Sequence, residues 1–345
     1  MLAVVKYGQS DGMVELRDVP APEIGGDDVL LEVKAAGVCG SDVEMYRHKI
    51  TFPVNTPVIQ GHEFAGVVSE VGPGVKDFEP GDRVISETAA YVCGTCPLCR
   101  AGEYNLCPER LGYGCGTDGA FTKYVCVPAR CLHRIPESLD FDSAALTEPV
   151  CVAYNALVAR SRILPGGTVV VLGPGPIGLF CVQIAKVSGA GTVVLTGTEV
   201  DGERLALGET LGADVVINAE ERDPVGAVMA LTGGMGASLV VDAAGCSATL
   251  KQSMEMVRRN GQITKIGWGP DPVGFSLDPL ISKAVTLQGV FSHTWRTWEN
   301  CISLIGKGMV KVEPLITHRL PITEWKQAYE LVESRRAVKV VLHPV

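Results

Sequence analysis

Four cysteines crowd into 15 residues as Cys93-x2-Cys96-x2-Cys99-x7-Cys107. Four thiolates on one loop suit a closed tetrahedral zinc site whose role is to fold that loop. An iron–sulfur cluster uses the same donors and is the lesser alternative. A second set is dispersed: Cys39 in Gly37-Val-Cys-Gly-Ser-Asp42, His62 and Glu63 in Gly61-His-Glu63, and Glu148 in Thr147-Glu-Pro149. A catalytic zinc takes three protein ligands and leaves a fourth place for water or substrate. One thiolate, one imidazole and one carboxylate meet that need. Each residue singly also has an ordinary structural place: Cys39 in a core, His62 as a satisfied buried histidine, Glu148 as a charge at a helix start. Spacing alone leaves the two accounts level.

A third signal is Thr168-Val-Val-Val-Leu-Gly-Pro-Gly-Pro-Ile-Gly178, an apolar run that ends in Gly173-x-Gly175-x-x-Gly178. In a strand–turn–helix setting, the first glycine makes the tight turn and the second lets the backbone approach a pyrophosphate. The third lets helix and strand pack closely, with the phosphate at the helix N-terminus. Gly173, Gly175, Pro176, Ile177 and Gly178 are therefore expected to hold a dinucleotide. An acid that binds the ribose hydroxyls is expected about 20 residues on. That position falls near Gly197, so Glu199 is the nearest candidate, and Arg204 is the nearest base that could meet a 2′-phosphate.

These residues need two kinds of scaffold. Before residue 150, short β-branched runs alternate with Gly and Pro: Val29–Val33, Phe64–Val68, Arg83–Ile85 and Phe121–Val127. That pattern predicts a β-rich, barrel-like domain. After it, strands are predicted at Thr168–Leu172, Thr192–Thr196, Asp214–Asn218, Ser238–Asp242, Gln262–Ile266 and Thr286–Val290. Helices such as Pro176–Val187, Glu203–Leu211 and Ser247–Arg259 lie between most of them. This α/β alternation predicts a doubly wound parallel sheet. Beyond about residue 295, the helices Trp295–Gly306 and Ile322–Glu333 and the strand Val338–Leu342 are expected to return to the first domain.

The bulk numbers exclude other classes. Asp and Glu total 39 against 30 Lys and Arg, a net charge of -9, and no basic cluster offers a nucleic-acid face. The most apolar stretch, Thr168–Ala185, is broken by glycines and prolines, so no membrane span is expected. No secretory signal is read, the cysteines are expected to stay reduced, and the expected location is cytoplasmic. The cysteines outside the two metal sets are read mostly as small core hydrophobes.

Gly61-His-Glu-x2-Gly66-x5-Gly72-x2-Val75, followed by Pro80-Gly-Asp-Arg-Val84, resembles the zinc signature of the medium-chain dehydrogenase superfamily, which includes alcohol, sorbitol and threonine dehydrogenases. The four-cysteine lobe and the Gly173 fingerprint fall in that family's order. The resemblance implies a GroES-like catalytic domain, residues 1–150 completed by 295–345, around a Rossmann domain, residues 151–294. It implies one catalytic and one structural zinc, a nicotinamide cofactor, a small-molecule alcohol as substrate, and a dimer or tetramer. Cys39 and His62 match zinc ligands, and either Glu63 or Glu148 completes the sphere. Ser41 matches the hydroxyl that passes the alcohol proton outward, and Asp42 the carboxylate that orients the zinc histidine. Glu44 stands where several alcohol dehydrogenases have a relay histidine. Gly267, Val290, Phe291 and Ser292 are expected beside the nicotinamide. Glu148-Pro149 resembles the sorbitol branch, which usually has an arginine and then an aromatic where Ser292 and His293 stand. The tail Glu313–Ile322 is similar to threonine dehydrogenases.

The expectation is zinc-dependent oxidation of a secondary alcohol, a polyol ahead of L-threonine, with NAD ahead of NADP because Glu199 and Asp201 would face a 2′-phosphate. The competing readings are a non-catalytic dinucleotide binder holding only the lobe zinc, and a zinc-free reductase of the same fold, against which the two cysteine-bearing sets argue.

Overall fold

The computed structural model describes residues 1–269 and 271–345. Two compact units emerge. One comprises Met1–Glu148, Ser292–Lys307 and Val312–Val345, the other Pro149–Phe291 and Gly308–Lys311. No helix among the described residues is long and apolar enough to cross a membrane.

In the first unit, the strand Asp28–Gly37 alternates buried and half-buried residues, as a strand with one face on a core should. It pairs antiparallel with Glu63–Val71, and the register sets Gly37 opposite Glu63. On its other side the C-terminal strand Lys339–His343 pairs Val341 with Gly37. Three distant segments thus meet at one end of a seven-stranded sheet, whose order also takes in Arg83–Ser86, Leu132–Arg134, Ile316–Pro321 and Tyr124–Pro128. Val29, Leu31, Val33, Phe64, Val84, Phe121 and Leu342 form its core. The segment Leu2–Lys6, unassigned by sequence, is a strand that pairs antiparallel with Val14–Asp18. The helix Trp295–Gly306 forms with its expected bounds, whereas the next begins at Trp325 after a 3-10 turn, Ile322–Glu324.

The second unit is a six-stranded sheet, ordered Val215–Asn218, Thr192–Gly197, Thr168–Leu172, Ala237–Asp242, Val257–Lys265, Thr286–Gly289, and every pairing in it is parallel. Thr168–Leu172 lies near the middle and is buried except at its first residue, as a strand covered on both faces requires. The chain moves outward from it, then returns to its other side at Ala237, which creates the switch point where such sheets bind ligands. The expected helix Ser247–Arg259 stops at Met256. Lys283 ends it: its ammonium bonds the carbonyls of Met254 at 2.7 Å, Glu255 at 2.8 Å and Val257 at 3.1 Å, a favourable cation at a helix C-terminus. Val257, buried, then opens a longer strand than expected, Val257–Lys265. Of the cysteines outside the two metal sets, Cys246 departs from the core reading and is exposed.

Candidate functional site

The four-cysteine lobe folds around its sulfurs. Cys96 caps the short helix Pro97–Arg100 by accepting the Cys99 N–H. Cys93 Sγ lies 3.6 Å from Cys107 Sγ and 4.0 Å from Cys99 Sγ, and all four ligand atoms lie within 4.8 Å of one another. Zinc–sulfur bonds of 2.3 Å in a tetrahedron put sulfurs about 3.8 Å apart. The lobe therefore fits one ion, and its sulfurs stand too close to enclose a multi-iron cluster. N–H groups of Thr95 and Cys96 bring the Cys93 thiol down to about 6, which favours the thiolate that a metal needs.

Three of the four dispersed residues also meet in space, all within the first unit. Cys39, His62 and Glu63 bring ligand atoms within 4.8 Å of one another. Cys39 is the N-cap of the helix Gly40–Tyr46, and its N–H donates to Asp42 Oδ2 at 2.9 Å. The fully buried Asp42 thereby turns Oδ1 toward His62 Nδ1, 3.6 Å away. A carboxylate on Nδ1 leaves Nε2 for a metal, the usual arrangement for a metal histidine. Burial works against a charge on His62, and Asp42 outweighs it, raising the imidazole above its ordinary range. Asp42 Oδ1 is buried without a hydrogen-bond partner, an economical arrangement only where His62 carries positive charge or metal. Ser41 sits half-buried in the same helical turn, and Glu44 is exposed on that helix.

Glu63 is paired with Lys339 Nζ at 2.6 Å, and the same ammonium bonds the Val38 carbonyl at 2.9 Å. Burial would lower Lys339, but Glu63 beside it keeps it above its ordinary value. Glu148 stands outside the three-residue group. Its Oε1 bonds His293 Nε2 at 3.1 Å, and His293 packs edge-on against Trp298 at 4.9 Å. Burial pushes Glu148 up, and the His293 bond with nearby positive charge outweighs it, holding the carboxyl below its ordinary range. Ser292, next to His293, has φ +52°, a strained value for a side chain with Cβ. Sequence reasoning missed Lys339 and the Glu148–His293 bond. Lys339 has a signal only once the C-terminal strand is known to lie beside Gly37.

In the second unit, Gly173 has φ +100°, and a Cβ on Gly178 would stand 1.9 Å from the Gly173 carbonyl oxygen. Both glycines are thus required for the turn and the packing. Gly175 caps the 12-residue helix Pro176–Val187, whose second residue is Ile177, and no atom lies within 4 Å of where its Cβ would be. That open helix N-terminus fits a pyrophosphate. Glu199 is exposed, and its N–H donates to Glu220 Oε2 at 2.7 Å. Asp201 turns inward, accepting from Thr198 N–H at 3.1 Å and Thr198 Oγ1 at 2.8 Å. Gly267 and Val290 follow neighbouring strands at the same end of the sheet, and Phe291, 42% exposed, stands edge-on to Trp268.

Residues 25–137 match the alcohol dehydrogenase GroES-like domain family, and residues 176–307 the zinc-binding dehydrogenase family. A sorbitol dehydrogenase of Halalkalibacterium halodurans is 40% identical over 346 residues, covering 100% of both chains. An L-threonine 3-dehydrogenase of Bacillus velezensis is 34% identical, covering 100% of this chain and 99% of that protein. The alcohol dehydrogenase TADH of Thermus sp. ATN1 has a similar structure, with a TM-score of 0.91 and 34% identity over 100% of both chains. The chain belongs to the zinc-dependent medium-chain alcohol dehydrogenase family and is an oxidoreductase, built of a GroES-like domain and a Rossmann domain. Zinc and a nicotinamide cofactor are the groups this family works with.

Proposed function

We propose that the protein oxidises a secondary hydroxyl of a sugar alcohol to a ketone and passes the hydride to NAD. The observation that carries this reading is the Glu148–His293 pair near the Cys39–His62–Glu63 group. A buried carboxylate fixed by one hydrogen bond keeps acceptor capacity for hydroxyl groups of a substrate or for a metal-bound water. The similarity to a sorbitol dehydrogenase supports the same substrate class.

Cys39 and His62 would hold the catalytic zinc, with Glu63 or Glu148 completing its sphere, and that ion supplies Lewis-acid polarisation of the alcohol oxygen. Asp42 fixes the ring of His62, and Ser41 in the same turn takes the alcohol proton outward. Lys339 balances the charge of Glu63. The loop Gly173–Gly178 and Glu199 receive the dinucleotide, with Gly267, Val290 and Phe291 beside its nicotinamide. NAD is favoured because the second acid, Asp201, stands 3.8 Å from Arg204 and draws that guanidinium toward itself.

The 12 cysteines form no disulfide, which supports a reducing, cytoplasmic setting. Among the described residues the edge strand Thr286–Gly289 pairs on one side only, with Leu287 39% exposed, and Ile281 on the preceding helix Asp278–Ser282 is 82% exposed, which supports association with a second copy along that edge.

The test is cofactor reduction across pentitols, hexitols, their phosphates and L-threonine. A clear preference for polyols is expected. Turnover of L-threonine with no polyol oxidised overturns the reading and favours the activity named for the threonine relative.

A further inference from the structure

Arg110 lies three residues beyond the last lobe cysteine, Cys107. Its side chain nevertheless bonds two residues outside the lobe. Nη2 donates to Thr88 Oγ1 at 3.0 Å and to Ser292 Oγ at 3.5 Å. Nη1 lies 3.2 Å from the point where Gly112 would carry a Cβ, and Cys115 Sγ approaches that same point to 3.3 Å. Cys115 feels the charges of His62 and Asp42, and Arg110 those of Cys115 and Glu148. Through the consecutive residues Ser292 and His293, the guanidinium is tied to the turn that also holds the Glu148 carboxylate.

The strained turn strengthens this placement. Two consecutive residues serve two different partners: Ser292, at φ +52°, bonds Arg110, and His293 bonds Glu148. Backbone strain persists where the surroundings enforce it, and such places cluster at functional sites. The turn therefore fixes a cationic donor and an anionic acceptor in one neighbourhood. A hydroxyl group is both donor and acceptor, so a carbon chain bearing several hydroxyls satisfies both partners at once. A planar guanidinium also fits the paired oxygens of a phosphate or a carboxylate.

We infer that Arg110 determines substrate selection, donating hydrogen bonds to an oxygen of the substrate chain other than the one oxidised. That oxygen belongs to a hydroxyl or a phosphate of a polyol. The inference rests on the polyol reading above. Thr88 and Ser292 aim the guanidinium, and Glu148 accepts from the same chain.

The test compares wild type, Arg110→Ala and Arg110→Lys. Each is measured with the preferred polyol, with its phosphate monoester, and with the plain secondary alcohol of equal chain length as substrate or competitive inhibitor. Zinc content and thermal unfolding are followed in parallel. Arg110→Ala is expected to raise KM for the polyol by about tenfold or more, the effect of losing a hydrogen bond from a charged donor. The expected change in kcat is small, the plain alcohol's binding is expected to stay the same, and Arg110→Lys is expected to recover part of the loss. A larger loss for the phosphate ester than for the polyol assigns the contact to a phosphate, and an equal loss assigns it to a hydroxyl. A variant with normal zinc that binds polyol and plain alcohol as wild type does, or loses both equally, overturns the inference and leaves the polyol reading standing. If misfolding obscures Arg110→Ala, then Arg110→Lys decides: unchanged polyol KM overturns the inference, and a selective rise supports it. Wild type that oxidises no polyol overturns the polyol reading, and this inference with it.

Discussion

The Lys339 ammonium stands 2.6 Å from Glu63 Oε1, both groups buried, although 276 residues separate them in the chain. Removing one member of a buried pair leaves the other charge unpaired and costs roughly 3–5 kcal/mol, whereas replacing both partners is far milder. Lys339→Met is therefore expected to lower stability by about that amount in denaturant unfolding, and Lys339→Met with Glu63→Gln to recover most of it. A Lys339→Met protein as stable as wild type would show that Lys339 and Glu63 are not held as an ion pair.

The Glu148–His293 bond gives a second prediction. His293→Ala removes the partner that holds the Glu148 carboxyl, and Glu148→Gln removes the charge itself. Both are expected to lower kcat/KM by about ten- to a hundredfold, the scale seen for partners that orient metal-site ligands. The dissociation constant for NAD should stay as in wild type. Turnover unaffected by Glu148→Gln would leave Glu63 or water to complete the site and make Glu148 structural.

These two relationships mark where sequence reading stops. Cys93, Cys96, Cys99 and Cys107 are legible because their spacing is local, and the glycine turn is legible because Gly173 and Gly178 answer local demands of backbone and packing. Cys39 and His62 are legible through a resemblance to known motifs, since spacing alone left them level with core residues. Lys339 and Arg110 are not legible. Lys339 gains its meaning only when the register Val341–Gly37 places the last strand beside the site, and Arg110 only when the turn at Ser292 comes within reach of its side chain. The helix after Ser247 was drawn too long because its end depends on Lys283, a cation supplied from beyond the next strand.

Cofactor choice follows from Asp201 and Arg204. The Arg204 guanidinium stands 3.8 Å from the Asp201 carboxylate, while Glu199 is exposed just beyond the strand Thr192–Gly197. A 2′-phosphate would meet Glu199 and compete with Asp201 for Arg204, and even a modest share of like-charge repulsion amounts to about a tenfold preference. NAD is expected to exceed NADP in kcat/KM by about that factor or more. A preference for NADP that disappears in Arg204→Ala would reverse the assignment.

Two groups that can hold a metal ion, one of four cysteines and one of mixed donors at Cys39, His62 and Glu63, are central to the account. The most direct measurement is zinc per chain and turnover, followed together during mild chelation. The account predicts two zinc ions per chain at the outset. Removal of one should abolish turnover while circular dichroism and the lobe's zinc are retained, and added zinc should restore activity. A fully active protein that holds a single zinc would contradict it.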